Sequence, residues 1–429
     1  MIKQKILFIS PYPISQPQHG GQKRAKAIFE LYESIFAEGK FIAVYHRGLY
    51  KDDGESSILL GEQDIIKQLD EQPYASELIS GRAIDDDIHV RSALAKLLVD
   101  YQPDIIHVEQ VYPYLGLKPL LKDLGMHPKL IFSSQNIEYQ MKRQIFQGVN
   151  MQPKIAGSLI KQTQELETDF SKAADLVIAV SQADAAEHRK MGARKVVVAP
   201  NGIDKKVPAK AELDYWKAFK QDKAISKTAV FIGSGHPPNW IGFLDMVGGN
   251  TKFIPVKSKI LVAGGVSEYF KATYKPLSKY KPFWQGLVPL GRLSEEKLTG
   301  LIDSADVVLL PITSGGGSNL KTAEAIISGK RIVATTYAFR GFEEYNCLPN
   351  IYTADNRETF RDTILMALNS PYKPRTPQQV ALAERVQWHY CLRPLLPELR
   401  KLSRRATMHK ALRNFKRPAR IVKRRLRGS

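Results

Sequence analysis

Short apolar runs rich in β-branched residues recur along this chain, and amphipathic helical patterns separate them. Such runs are typical of buried parallel strands, because helices cover both faces of a parallel sheet. The first series lies at residues 5–10, 41–45, 105–110, 129–134, 175–181 and 195–202, and the second at residues 228–235, 259–265, 306–311 and 331–336. Two such series predict two doubly wound α/β domains, with ligands at the carboxyl ends of the strands and in a cleft between the domains.

The region between the two series is polar, and residues 205–227 are typical of a linker that contains a helical piece. The length of 429 residues fits two or three domains. Residues 50–90 are also polar and carry no clear periodicity, so they predict only an irregular stretch with a short helix.

Cysteine content and hydropathy exclude several classes of protein. The two cysteines, Cys347 and Cys391, are far apart and form neither a disulfide framework nor a metal-binding pattern. No apolar stretch reaches the roughly 18 residues that indicate a membrane span, and the N-terminus is not a convincing secretory signal. These features predict a cytoplasmic protein.

Positive charge is concentrated at the C-terminus. Of the net charge of +20, the segment 400–429 contributes thirteen Lys and Arg and no Asp or Glu, which leaves +7 for the rest. Apolar residues recur there at spacings of three and four, at Met408, Ala411, Leu412, Phe415, Ala419, Val422 and Leu426. Residues 403–429 therefore predict a basic amphipathic helix on an anionic membrane surface. A solvated tail is the alternative, and poor aromatic interleaving disfavours nucleic acid as the partner.

A glycine-rich stretch, SGGGSNLKTAEAIISGK at residues 314–330, follows the predicted strand at 306–311. Ser318 or Asn319 is a good N-cap for the helix that begins there. Lys321 and Glu324 are three residues apart and share one helix face, where an ammonium suits a diphosphate and a carboxylate suits a ribose diol. The alternative is a plain glycine turn with a surface Lys–Glu pair.

A second glycine loop, HGGQKR at residues 19–24, follows the first predicted strand in the same way. It places Gly20 and Gly21 before Lys23 and Arg24 at a helix start, where free backbone N–H groups favour anions and hydroxyl groups. A plain β–α turn is the alternative.

Taken in order, these segments resemble the GT-B glycosyltransferases, and in particular the retaining enzymes of family 4. The resemblance covers residues 5–402. It is carried by the HGG loop, PDIIHVE, SSQNIE, AADLVIAVSQAD, VVVAPNGID, FIGSGHPPN, LVPLGRLSEEKLTGLIDSADVVLLP and GGGSNLKTAEAIISGKRIVATT. It implies an N-terminal acceptor domain at 1–205, a nucleotide-sugar donor domain at 206–375, a helix at 376–402 that packs back toward the first domain, and the basic tail at 403–429.

The resemblance also implies roles at the donor site. Glu324 matches the last Glu of the family's Glu–seven–Glu motif, which binds the donor ribose, and Gly20 and Gly21 match the loop that approaches the donor phosphate and sugar. Gly316 replaces the first Glu of that motif. The resemblance implies that the backbone N–H groups of Gly316, Gly317 and Ser318 contact the donor. The other positions that it implies at the donor site are Gly233, Arg292, Asn319 and Lys321.

The acceptor side departs further from the family. Glu109 stands where the family commonly has a His, and His107 lies two residues earlier on the same strand face, so both are candidate catalytic residues, with a satisfied core histidine as the alternative for His107. Gln135 and Asn136 replace a frequent His–Asn pair and join Lys23 and Arg24 as candidate acceptor-binding residues. The family implies sugar transfer with retention, without a metal or cofactor.

These features predict a hexosyltransferase that moves a sugar from a nucleotide-diphosphate sugar to a glycan or lipid-linked acceptor, in cell-surface polysaccharide or glycolipid synthesis at the inner face of the cell membrane. The main alternative is a catalytically weak GT-B scaffold that binds nucleotide or glycan and recruits partners. A nucleic-acid-binding protein and a sugar-nucleotide epimerase are further alternatives. The epimerase is disfavoured because no acid–base pair is assignable to proton transfer at a sugar carbon.

Overall fold

The structure is a computed structural model that describes residues 1–17, 19–46, 50, 54–60, 76–148, 151–275, 280–315 and 319–407. The chain forms two compact units. The first contains residues 1–143, 151–200 and 392–407, and the second contains residues 144–148 and 201–391.

The first unit is built on one parallel sheet of seven strands. Its strands are β1 (Ile2–Ser10), β2 (Phe36–His46), β3 (Ser57–Leu60), β4 (Ile105–Glu109), β5 (Lys129–Ser133), β6 (Leu176–Ala179) and β7 (Val196–Val198). Their order across the sheet is β3-β2-β1-β4-β5-β6-β7. Since the chain winds outward from β1 in both directions, the topological switch point lies between the carboxyl ends of β1 and β4, and β5 is the next strand beyond β4.

The second unit is built on a parallel sheet of six strands. They are β8 (Lys227–Ile232), β9 (Ser258–Ala263), β10 (Leu287–Gly291), β11 (Val307–Leu310), β12 (Arg331–Ala334) and β13 (Ile351–Thr353), in the order β10-β9-β8-β11-β12-β13. The prediction of two doubly wound sheets is confirmed. It missed β10, in which Pro289 and Gly291 weaken the strand pattern, and β13, which has only three residues.

Helices connect successive strands. In chain order they are α1 (Gly20–Ile35), α2 (Ser76–Asp86), α3 (Ile88–Tyr101), α4 (Tyr114–Asp123), α5 (Glu138–Gly148), α6 (Pro153–Ala173), α7 (Gln182–Lys190), α8 (Lys210–Asp222), α9 (Pro237–Met246), α10 (Gly265–Thr273), α11 (Lys281–Trp284), α12 (Glu295–Ser304), α13 (Leu320–Ser328), α14 (Arg357–Asn369), α15 (Pro377–Glu384), α16 (Trp388–Cys391) and α17 (residues 395–407). Residues 50–90, whose sequence carries no clear periodicity, contain β3, α2 and the start of α3. The helical piece of the predicted linker is α8.

Three aspartates fix how neighbouring strands begin. The carboxylates of Asp104, Asp175 and Asp306, each just before a strand, accept backbone N–H groups from residues at the start of an adjacent strand. The distances are 3.1 Å from Lys5, 3.0 Å from Leu130 and 2.8 Å from Thr228. Because a carboxylate is a strong acceptor, each bond helps to hold the register of two neighbouring strands.

Helix α17 packs within the first unit. Its buried face consists of Leu395, Leu399, Leu402 and Ala406, and its exposed face carries Arg400, Lys401, Arg404 and Arg405. The stretch 376–402, predicted as one helix, contains α15, α16 and the beginning of α17, and the two units divide it after residue 391. The remainder of the predicted amphipathic tail, residues 408–429, lies outside the described residues. Among the helices that the structure describes, none has the length and hydropathy needed to cross a bilayer.

Candidate functional site

Two neighbouring strands of the second unit, β8 and β11, bring a lysine and an asparagine together at their carboxyl ends. Nζ of Lys321, in the first turn of α13, donates a hydrogen bond to Oδ1 of Asn239 in α9. The Asn239 amide nitrogen in turn donates to the carbonyl and to Oγ of Ser234, each at 3.0 Å. These hydrogen bonds join the start of α13 to the loop after β8, although Lys321 and Asn239 are 82 positions apart in the sequence.

The Lys321 ammonium lies in a partly desolvated environment. Burial lowers the pKa of Lys321 from its usual value to about 8, and the carboxylate of Glu324 opposes that shift. The ammonium also lies 5.9 Å from the centre of the Phe231 ring. Desolvation, and then the charge of Lys321, lower the pKa of His236 at the start of α9. A cation held here, close to two helix N-termini, is suited to bind an anion.

The beginning of α13 has the predicted cap. Asn319 is the N-cap residue, and its side chain accepts the backbone N–H of Lys321 at 3.1 Å. Gly315 has a φ of +120°, which a residue with a side chain rarely adopts, and its carbonyl accepts a hydrogen bond from the Tyr337 hydroxyl at 2.5 Å. Glu324 follows one turn after Lys321 and is half-buried. The predicted positions Gly316, Gly317 and Ser318 lie outside the described residues.

Gly233 sits where two loops touch. A Cβ atom there would lie 3.2 Å from side-chain atoms of both Asn239 and Val266. Gly264, with φ of +91°, approaches so closely that its own Cβ would lie 2.3 Å from the Gly233 carbonyl oxygen. Gly233 was predicted at the donor site, whereas Asn239, His236 and Gly264 were not. His236 and Asn239 lie within the segment FIGSGHPPN, which carries part of the family resemblance.

Arg292 lies just after β10, and its side chain is 79% exposed. Its Nε atom pairs with the Glu268 carboxylate on α10 at 3.2 Å. A donor-site role for Arg292 stays a prediction.

In the first unit, a buried chain of polar side chains runs across the carboxyl end of the sheet. The Tyr32 hydroxyl lies 2.9 Å from Nδ1 of His107, and Nε2 of His107 lies 3.0 Å from Oε2 of Glu109. All three side chains are fully buried. The His107 ring also stacks on Phe8, with ring centres 3.8 Å apart.

The protonation state of this chain follows from its chemistry. Burial lowers the pKa of His107, and the hydrogen bond to Glu109 only partly opposes that shift, so the imidazole is neutral near pH 7. A carboxylate can only accept, so Nε2 carries the proton, and Nδ1 accepts from the Tyr32 hydroxyl. Both ring nitrogens of His107 thus have hydrogen-bond partners. A catalytic role for either residue stays a prediction.

Gln135, after β5, links this chain to α1. Its amide nitrogen lies within hydrogen-bonding distance of three oxygens, Oε1 of Glu109 at 2.5 Å, the Gly21 carbonyl at 3.3 Å and the Tyr12 hydroxyl. A Cβ atom on Gly21 would lie 2.5 Å from Oε1 of Gln135 and 2.9 Å from the Tyr12 hydroxyl. The glycine loop and the Glu109 network, which the sequence presented as separate features, therefore form one cluster.

The other predicted acceptor residues are placed differently. Arg24 is 1% exposed, and its Nη1 donates to the Ala199 carbonyl at 2.9 Å, which joins α1 to the end of β7. The Asn136 amide donates to Oε1 of Glu138 at 3.2 Å. Lys23 is half-buried in the first turn of α1. Gly20, which was predicted at the donor site, is the first residue of that helix. Within the described residues, no group of three or more His, Cys, Asp or Glu is placed to hold a metal ion.

Residues 61–207 match the model of the family described as Glycosyltransferase Family 4. No curated protein sequence matches the chain. Several solved structures share its fold at low sequence identity. Sucrose-phosphate synthase from Thermosynechococcus elongatus is 14% identical with a TM-score of 0.66, and the match covers 93% of this chain and 99% of that one.

HepE from Anabaena, solved in complex with UDP, is 14% identical with a TM-score of 0.59, over 92% of this chain and 100% of that one. An E. coli protein described as trehalose-6-phosphate, bound with UDP-2-fluoro glucose, is 15% identical with a TM-score of 0.60, over 93% and 99% of the two chains. These comparisons confirm the resemblance to family 4 and show that the chain has the GT-B fold.

Proposed function

From the GT-B fold and the family 4 match of its N-terminal region, we propose that this chain is a glycosyltransferase that takes a sugar from a nucleotide-diphosphate sugar. The reaction proceeds with retention and delivers a hexose to a glycan or lipid-linked acceptor, in cell-surface polysaccharide or glycolipid synthesis. The observation that carries the proposal is the start of α13, where Asn319, Lys321 and Glu324 are presented at the carboxyl end of β11.

The first turn of α13 offers what a nucleotide diphosphate requires. The Lys321 ammonium and the positive end of the helix dipole suit the diphosphate, and Asn239 holds that ammonium in place. Glu324, three residues further on the same helix, offers two oxygens to the two hydroxyls of a ribose. HepE and the E. coli protein were solved with UDP or a UDP-sugar, so uridine nucleotides are the first donors to test.

The proposed mechanism uses fixed donors and needs no protein nucleophile. Negative charge builds on the departing diphosphate as the sugar approaches an oxocarbenium-like state. Preorganised N–H groups and the Lys321 ammonium stabilise that charge, and they do so better than water because they need not reorganise. The leaving phosphate then helps to accept the proton of the attacking hydroxyl, which fits retention.

We place the enzyme in the cytoplasm, on the inner face of the membrane. The exposed basic face of α17 supports this placement, because Arg400, Lys401, Arg404 and Arg405 attract anionic lipid headgroups. Residues 408–429 add nine further Lys and Arg without any acidic residue. Basic residues of this kind would bring the enzyme to a lipid-linked acceptor.

The test is thermal unfolding with UDP, GDP and a panel of their sugar conjugates. A donor that binds the folded chain raises its stability by about 2.7 kcal/mol at a hundredfold excess over the dissociation constant. We expect one donor family to raise the melting temperature of the wild type, and Glu324→Ala to lose most of that increase. Glu358→Ala, an exposed acid of the same unit in α14, is the matched control and keeps it.

Turnover separates the enzyme from its alternative. The stabilising donor, incubated without and with membrane extracts of the source cells, releases nucleoside diphosphate if the chain is a transferase. Stabilisation without release favours the catalytically weak scaffold, for which the absence of the first motif Glu at Gly316 is the supporting observation. No stabilisation by any nucleotide contradicts the proposal.

A further inference from the structure

The orientation of the Gln135 amide is fixed by its partners. Its nitrogen faces the Glu109 carboxylate at 2.5 Å and the Gly21 carbonyl at 3.3 Å, and neither group can donate a hydrogen bond. Turning the amide by 180° would place its oxygen against both acceptors. The nitrogen therefore points into the network and the oxygen points away from it.

Glu109 enforces this orientation and is not accessible to a substrate. One carboxylate oxygen accepts from Gln135 and the other accepts from His107 at 3.0 Å, and the residue has no exposed surface. The carboxylate makes Nε2 of His107 the donor, so Nδ1 accepts from the Tyr32 hydroxyl. The donors of His107 and Gln135 thus converge on the Glu109 carboxylate, and the Gln135 amide is the outer end of the network.

The Gln135 oxygen lies at the edge of the network. It is close enough to Gly21 that a Cβ there would approach within 2.5 Å, and Gln135 is half-buried, unlike Glu109. Among the described residues, none donates a hydrogen bond to this oxygen. A neutral acceptor, oriented beside the first turn of α1 and still available, is suited to a hydroxyl group.

We infer that Oε1 of Gln135 accepts a hydrogen bond from a sugar hydroxyl of the substrate, and that Glu109 is a positioning residue that keeps the amide from turning. The inference rests on the proposed function and assigns a contact within it. The hydroxyl belongs either to the donor sugar or to the acceptor sugar, and the experiment distinguishes the two.

The test compares nucleotide with nucleotide sugar. Dissociation constants are measured by calorimetry for UDP, or whichever diphosphate binds best, and for its sugar conjugates. Free glucose, galactose and mannose are then titrated into protein saturated with the diphosphate. Gln135→Met removes the acceptor at similar size, and its melting temperature and diphosphate affinity report whether the fold and the nucleotide site are intact.

Loss of one neutral hydrogen bond weakens binding about three- to tenfold. If Gln135 contacts the donor sugar, Gln135→Met weakens binding of the nucleotide sugar by that factor and leaves the affinity for the diphosphate unchanged. If Gln135 contacts the acceptor, the substitution weakens binding of the free monosaccharide instead. The inference is overturned if Gln135→Met leaves the affinity for the nucleotide sugar unchanged and monosaccharide binding is either absent or unchanged.

Exchange of the two side chains tests the positioning role. In Glu109→Gln the new amide can donate toward Gln135, which turns the outer oxygen inward, so we expect the same loss as in Gln135→Met. In the double variant Glu109→Gln/Gln135→Glu, the inner amide donates to one oxygen of the outer carboxylate and leaves the other oxygen exposed. Sugar binding then returns to within about threefold of the wild type, because the hydrogen bonds from His107 to position 109 and between positions 109 and 135 are preserved. Only the longer hydrogen bond to the Gly21 carbonyl, at 3.3 Å, is lost.

Additive losses in the double variant contradict the positioning role, and a merely structural role would change diphosphate and nucleotide-sugar affinity alike. A wild type that binds no nucleotide fails earlier and in a different way. That result overturns the proposed function, and this inference falls with it.

Discussion

Nε2 of His107 lies 3.0 Å from the carboxylate of Glu109, two residues later on the same face of β4, and neither side chain is exposed. The hydrogen bond satisfies a buried carboxylate that would otherwise be costly to desolvate. The other carboxylate oxygen of Glu109 accepts a hydrogen bond from Gln135, which is half-buried.

Gly21 is required by this cluster, and substitution to Ala is expected to destabilise the protein by about 1–3 kcal/mol. The added Cβ would lie 2.5 Å from Oε1 of Gln135 and 2.9 Å from the Tyr12 hydroxyl, and hydrogen bonds hold both groups in place. Gly157→Ala is the matched control, because Gly157 lies within α6 with no atom within 4 Å of its added Cβ. It is expected to stabilise by about 0.5–1 kcal/mol. Urea unfolding of both variants provides the measurement. Equal stability of the two would show that the Gln135 side chain moves away from the added Cβ at little cost.

Donor binding is expected to weaken as the pH rises above about 8. Burial lowers the pKa of Lys321 to about 8, so the free protein loses this ammonium as the pH rises through that value, and an anionic diphosphate binds the charged form. The dissociation constant for the diphosphate, measured by calorimetry between pH 7 and 9.5, should rise in this range. Lys321→Arg keeps its charge throughout, so its curve should be flat. Parallel curves for the two proteins would rule out Lys321 as the titrating group.

Glu167 makes the stability of the first unit depend on pH. Burial, and then the neighbouring Glu138, raise the pKa of Glu167 to about 8, and its carboxylate accepts the backbone N–H groups of Glu138 and Tyr139 at 2.8 and 3.0 Å. Because the folded state binds this proton more tightly than the unfolded state, the contribution is complete below about pH 4.5 and is lost as the pH rises through about 8.

Glu167→Gln should therefore be less stable than the wild type at pH 5 and should recover relative to it by pH 8.5. The change removes one acceptor at the start of α5 and also removes the titration. Unfolding free energies at both pH values test this, with Glu165→Gln on the exposed side of α6 as the control. A difference from the wild type that is the same at both pH values would exclude Glu167 as the source.

The basic C-terminal segment is expected to control membrane binding. A chain that ends at residue 407 keeps the buried face of α17 but loses nine Lys and Arg. Since each basic residue near an anionic surface contributes about 1 kcal/mol, affinity for phosphatidylglycerol vesicles should fall at least a hundredfold in a sedimentation assay. Neutral phosphatidylcholine vesicles should bind neither protein. Equal binding of the two chains to anionic vesicles would contradict a membrane role for this segment.

The sequence by itself determined the two parallel sheets and the helix signals beside them. Runs such as residues 105–110 and 306–311 report strand burial locally, because a strand covered on both faces must be apolar throughout. The N-cap at Asn319 and the shared helix face of Lys321 and Glu324 are equally local, since the helical repeat alone sets them. Strands β10 and β13 were not predicted, because β13 is short and β10 contains Pro and Gly.

Only the tertiary structure decided which side chains meet. Gln135 contacts Gly21 across 114 positions of sequence and Glu109 across 26, and Lys321 contacts Asn239 across 82. These pairings depend on strand order, which places β4 beside β5 and β8 beside β11. Periodicity carries no information about strand order, because any neighbour satisfies the backbone hydrogen bonds of a buried strand. The packing of the whole unit therefore selects which side chains contact each other, including the hydrogen-bond partners of Glu109 and the environment of Lys321.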